Sequence, residues 1–127
     1  GKDPQSPCVQ KDDMDKIYPA FQEADIVVLA SPLYFWGVTG QLKCAFDRLF
    51  AIAELDPTYR SLNKDCALLM AAEGSDFEPA VRHYQEILKF LKWKDLGQVL
   101  ASSVNRVGDI AGKPVLEEAR RFGAAIQ

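Results

Sequence analysis

"ADIVVLASPLYFWGVTGQLKCAFDRLF", residues 24–50, decides the fold. Residues 25–30 form an apolar run rich in β-branched side chains, with no polar alternation. A strand buried on both faces of a parallel sheet reads this way. Residues 31–37 then bring a proline, Tyr34, Phe35, Trp36 and a glycine before any helix begins. An ordinary strand-to-helix connection takes roughly two to six residues, and this one is long and oily. After it, Leu42, Ala45, Phe46, Leu49 and Phe50 recur on one helical face.

Outward from that stretch the pattern repeats. Asp12 and Asp13 offer N-cap oxygens to a helix whose apolar stripe is Met14, Ile17, Tyr18 and Phe21. Pro19 lies inside it and predicts a kink or a late start. Residues 66–72 and 96–104 are two further strand candidates, the second more polar. Phe77, Ala80, Val81, Tyr84, Ile87, Leu88 and Leu91 form a helical face, and a last helix starts near Pro114, where proline needs no amide hydrogen. About three strands alternating with four helices predict an α/β domain, a parallel sheet with helices on both faces. Residues 1–127 read as a single domain, with no linker or internal repeat.

Composition narrows the partners. The 127 residues are 48% apolar and 26% charged with a formal net charge of −3, ordinary globular values. Charges of both signs are interspersed, which disfavours nucleic acid and anionic membrane surfaces as partners. Without a signal-like start or an apolar run near the roughly 18 residues of a membrane span, a cytoplasmic location is expected. Cys8, Cys44 and Cys66 show no CxxC spacing, so they read as free thiols. His83, the single histidine, reads as a surface helix position.

In open parallel sheets ligands sit beyond the carboxyl ends of the strands. Three segments fall there: 31–40, 73–78 and 105–113. Tyr34, Phe35 and Trp36 offer flat faces for a planar heterocycle, backbone amides near Gly37 can donate to its edge, and Thr39 can cap the next helix. The same aromatics could instead plug the sheet end or form a subunit contact.

"DDMDKIYPAFQEADIVVLASPLYFWGVTGQLKCAFDRLF", followed by "ALLMAAEG", "DFEPAVRHY" and "VNRVGDIAGKPVLEEARRFG", resembles the flavodoxin-like NADPH-dependent FMN reductases and iron-sulfur flavoproteins. The resemblance implies a flavodoxin-like fold, with FMN as cofactor and NAD(P)H as co-substrate. Hydride would pass from NAD(P)H through the flavin to a quinone or another small-molecule acceptor. Ser31, Pro32, Leu33, Tyr34, Phe35, Trp36 and Gly37 would lie in the ring loop, and Glu73, Gly74 and Ser75 in the second loop. No catalytic side chain is implied, because the chemistry is the cofactor's.

The match departs from the family at its amino-terminal side. The first strand, phosphate-binding turn, first helix and second strand have no counterpart in these residues, so the domain reads as N-terminally truncated. Cys8 falls where the iron-sulfur members have a cluster cysteine, and it would be a metal ligand only with cysteines upstream, since a cluster needs four thiolates. Trp36 is bulky for a position beside the ring. Asp47 and Arg48 match the family's "DR" but read as a solvated helix face. Without a first strand, the strand at 25–30 becomes an edge that invites a homo-oligomer. The alternative to an enzyme is a non-catalytic remnant acting as an oligomeric binding module without FMN.

Overall fold

A computed structural model describes residues 3, 7–58 and 63–126. The apolar runs become three parallel strands, β1 (Ile26–Pro32), β2 (Asp65–Ala71) and β3 (Lys94–Ala101), in the order β1-β2-β3. The central strand is the most apolar, and Cys66, Ala67, Leu68 and Met70 are all buried. β1 and β3 are the outer strands of this sheet.

Register decides which side chains share a face. Val27 pairs with Cys66, Leu29 with Leu68 and Ser31 with Met70. Leu29, Cys66, Leu68 and Met70 join Met14, Tyr18 and Phe21 of α1 (Met14–Glu23) and Ala80, Tyr84 and Leu88 of α4 (Glu78–Leu91) in one hydrophobic core. Leu42, Ala45 and Phe46 of α2 (Gly40–Arg48) pack against it. Burying a leucine such as Leu68 contributes roughly 2–3 kcal/mol, which is what holds the helices to this face.

The opposite face is served by α5 (Pro114–Ala125), which packs on β3. It leaves an apolar cleft of about 420 Å³ beside β1 and β2, lined by Ala30, Leu69, Ala71, Val99, Val115 and Ala119. Helices thus lie on both faces, as the alternation predicts, but unequally.

Five details differ from the sequence reading. β1 starts one residue later than expected and runs on through Ser31 and Pro32, which pair with Met70 and Ala71 of β2 and so lie in the strand as well as at the base of the loop. α1 runs unbroken through Pro19. The proline forfeits one helical amide, while buried Tyr18 and Phe21 on either side of it hold the segment to the core. The helix expected through Phe50 divides at Leu49, whose amide bonds to Phe46 O at 3.0 Å, and resumes as the short α3 (Phe50–Ala53). β2 begins one residue earlier than expected and ends one earlier, at Asp65 and Ala71. β3 starts at the charged pair Lys94–Asp95 and stops at Ala101, before Ser103 turns to φ 56°.

That strand also carries a bulge. Cys66 pairs with Asp95, yet Ala67 pairs with Gly97, so Leu96 is the extra residue. Gly97 sits at φ 114°, a conformation that side chains of L-residues rarely adopt. Its amide donates to Asp95 Oδ1 at 2.8 Å, which closes the bulge.

Candidate functional site

The oily connection after β1 is a two-residue hairpin. Tyr34 and Gly37 exchange both backbone hydrogen bonds, each 3.0 Å long, with Phe35 and Trp36 at the tip. Both tip residues have positive φ, 46° and 60°. A tight turn of this hand ordinarily takes Asn-Gly, and each bulky residue forced into it costs about 1–2 kcal/mol. The tip aromatics nonetheless face solvent: Phe35 is 97% exposed, Tyr34 62% and Trp36 57%. Strain of this kind concentrates at ligand sites.

The base of the hairpin is fixed by ordinary means. Ser31 is buried and donates from Oγ to Pro32 O at 2.7 Å, while the same oxygen accepts from Thr39 N at 2.9 Å. Thr39 Oγ1 in turn accepts from Leu42 N at 3.2 Å, capping α2 as its position suggests. Leu33 N reaches Ala71 O at 2.8 Å and its side chain leans on the core. Ser31, Pro32 and Leu33 therefore frame the loop, and Tyr34, Phe35, Trp36 and Gly37 form its projecting part. Among the described residues the amides of Phe35, Trp36 and Val38 have no protein acceptor, so they remain available to a ligand.

The second loop meets the first. Trp36 Nε1 donates to Asp76 Oδ2 at 2.9 Å, across forty positions of sequence. Asp76 was not among the residues singled out by sequence; its signal was the polar cluster "EGSD" after β2. Glu73, Gly74 and Ser75 are exposed beside it. Glu73 Oε1 accepts from Asn105 Nδ2 at 3.2 Å, and Ser103 N donates to Glu73 O at 3.1 Å, which ties in the third loop. That loop is itself folded around Asp109, whose Oδ2 accepts from the amides of Asn105 at 3.0 Å and Arg106 at 2.7 Å. These amides hold the Asp109 carboxyl below the usual range. All three segments thus gather at the carboxyl end of the sheet.

Arg48 departs from the solvated face expected of it. It is half-buried, ion-paired with Asp12 and 3.7 Å from Cys8 Sγ. Asp47 does lie on the exposed side, paired with Lys43 at 2.7 Å. The hydrogen bond from Arg48, with help from the Met14 amide at 3.0 Å, lowers the Asp12 pKa. Cys8 is lowered first by the Gln10 amide and then by Arg48. His83 is exposed on α4. No group of three or more His, Cys, Asp or Glu suited to a metal ion occurs among the described residues. No described helix is long and apolar enough to cross a membrane.

An apolar cleft of about 560 Å³ lies elsewhere, between α2–α3 and α4 against Phe46, Phe50, Phe90 and Trp93. Its charged lining residues are Asp47, already paired with Lys43, and Glu86, and the rest of the wall offers no hydrogen-bonding side chain to orient a planar ligand except the Trp93 indole. The loop cluster is the better candidate.

Residues 1–106 match the NADPH-dependent FMN reductase family. The chain belongs to that family. It is 30% identical over 119 residues to an iron-sulfur flavoprotein of Archaeoglobus fulgidus, covering 94% of this chain and 52% of the relative. With an FMN-dependent NADH:quinone oxidoreductase of Alteromonas mediterranea it shares 32% identity over 101 residues, 72% of this chain and 50% of that protein. The chain thus spans about half the length of these curated relatives. The fold is also similar to the Trp repressor binding protein of Bacillus subtilis, with a TM-score of 0.66 at 24% identity over 88% of this chain and 72% of that one. The matched residues include the stretch from β1 to α2, which the structure folds into the strained aromatic hairpin at the sheet end.

Proposed function

We propose that this chain contributes the ring-binding half of an FMN site in an NAD(P)H-dependent oxidoreductase that passes hydride to a quinone or another small acceptor. The observation that carries the reading is the 34–37 hairpin, with three exposed aromatic faces and unused amides at the carboxyl end of a parallel sheet. A planar, hydrogen-bonding heterocycle matches that chemistry. FMN, when bound, supplies hydride acceptance and donation. The protein's part is to seat and orient it: Tyr34, Phe35 and Trp36 by contact, the amides around Gly37 by hydrogen bonding, and Glu73, Gly74 and Ser75 as the facing wall. We assign no side-chain acid or base, because both carboxylates of the second loop are engaged, Glu73 accepting from Asn105 and Asp76 from Trp36.

The test is a titration of FMN with the protein, followed by flavin fluorescence, and NADH or NADPH oxidation with a quinone added. Quenching that saturates at micromolar protein, with Tyr34→Ala weakening it, supports the reading. Unchanged flavin fluorescence sinks it.

We further infer that the working form is a homo-oligomer in which β1 and the cleft beside it are covered. Val28 of β1 is 48% exposed, unusual for a residue in so apolar a strand. Sedimentation equilibrium decides this point, and a monomer stable at nanomolar concentration would count against it.

A further inference from the structure

The aromatic hairpin raises a mechanical problem that its own residues do not solve. Its two tip residues are both in the left-handed region, their side chains are exposed rather than buried in a core, and two backbone bonds close the turn. A conformation of that kind persists when surrounding structure over-determines it. Among the described residues, the side-chain hydrogen bond that reaches the tip from outside the segment runs from Trp36 Nε1 to Asp76 Oδ2, at 2.9 Å.

Asp76 is well placed to act as an anchor. It directly precedes Phe77, which is buried and leads into α4, and the Phe77 amide bonds to Ser75 O at 3.2 Å. The carboxylate therefore stands on backbone fixed to the core. It also lies near the amino end of a fourteen-residue helix, where negative charge is favoured. Its bond to the indole is charge-assisted and therefore stronger than a neutral one. An indole has one donor, so this bond takes up the whole hydrogen-bonding capacity of the Trp36 side chain.

We propose that Asp76 is a positioning residue for the flavin ring: it latches Trp36, and through it the strained 34–37 turn, to the second loop so that the ring seat is formed before the ligand arrives. This rests on the reading of that turn as the ring seat. It also resolves the bulk of Trp36, whose indole is drawn toward the second loop and serves as a strut there. Preorganisation spares the cost of ordering the turn on binding, so losing the latch weakens FMN by about three- to ten-fold.

Four variants of the whole chain test it: Asp76→Ala, Trp36→Phe, the double variant and Asp76→Asn. FMN affinity is read by fluorescence quenching, and turn order by hydrogen exchange of the Gly37 amide. Each single removal should weaken FMN three- to ten-fold, and the double should be no worse than the weaker single. Asp76→Asn keeps an oxygen acceptor for the indole and should stay within about two-fold of wild type. Gly37 exchange should accelerate in Asp76→Ala.

Independent, multiplying losses in the double variant overturn the latch, as does Asp76→Asn behaving like Asp76→Ala. Wild-type binding of FMN with Asp76→Ala unchanged in both readouts overturns the latch and leaves the flavin reading standing. Wild-type protein indifferent to FMN, with Gly37 exchange still accelerated in Asp76→Ala, overturns the flavin role while the mechanical tie stands.

Discussion

The hydroxyl of Tyr84 lies 2.8 Å from Asp95 Oδ1 and 2.9 Å from the Cys66 carbonyl, so one proton is shared between α4, the central strand and the bulge of β3. Burial drives the Tyr84 pKa up, and the bond to Asp95 raises it further. Removing this hydroxyl leaves Asp95 with the Gly97 amide alone in the bulge and leaves a buried carbonyl with less company. Tyr84→Phe should therefore lower stability by about 2 kcal/mol without loss of packing volume. Urea unfolding checks it: the midpoint should fall while the slope stays constant.

How much of this was legible beforehand differs by kind of interaction. Ile26, Val27 and Val28 announce a strand because β-branching and the lack of alternation are local properties. Thr39 announces its cap for the same reason. The link between Trp36 and Asp76 is not local, and neither residue type predicts the other across forty positions. Phe35 and Trp36 even argue against the turn they occupy, since a two-residue hairpin prefers Asn-Gly. Lys94 and Asp95 hid the start of β3 because charged residues are tolerated on an outer strand. Arg48 misled in the opposite direction: a charge next to another charge looks solvated until the 8–12 segment folds over it.

Asp12 gives a pH dependence with a definite sign. Its pKa is lowered in the folded chain, so the unfolded state binds the proton more readily. The stabilisation is fully present above the ordinary carboxylate value and is lost as pH falls through the lower folded value. Wild type and Asp12→Asn should therefore differ in urea midpoint at pH 7 and converge near pH 2. A constant gap across that range would mean that the ion pair with Arg48 does not set stability.

Cys8 and Cys66 should separate by reactivity. Cys66 is fully buried, and its thiol is pushed up to about 11 by burial. Cys8 is partly exposed and lowered by the Gln10 amide, with Arg48 assisting. Since the thiolate is the nucleophile, iodoacetamide at pH 7.5 should label Cys8 and spare Cys66 in the native protein, as read by mass spectrometry. Arg48→Gln should slow labelling at Cys8.

Gly97 should be intolerant of substitution for two separable reasons. A Cβ built there would lie 3.2 Å from Cε2 of Phe122, and the backbone φ of 114° strains any L-residue regardless of space. The ring belongs to α5, which has no fully buried residue and so can shift. The backbone cannot. Gly97→Ala should cost about 2 kcal/mol, and adding Phe122→Leu to make room should recover little of it.

The final prediction sets stability against binding in the hairpin. Two bulky residues at positive φ cost about 2–4 kcal/mol together, while an exposed hydrogen bond such as Trp36 to Asp76 returns about 1 kcal/mol. Replacing the tip by Phe35→Asn with Trp36→Gly supplies the turn's preferred residues and removes the latch along with the aromatic faces. The balance favours the variant, which should unfold at a urea midpoint equal to or above that of wild type. The same protein should lose FMN affinity by at least ten-fold, because the surfaces that meet a planar ligand are gone. A gain of stability with loss of binding would mean that the strain is retained for the site it builds. A loss of both would mean that Phe35 and Trp36 serve the fold, and that the strain has some other source of compensation.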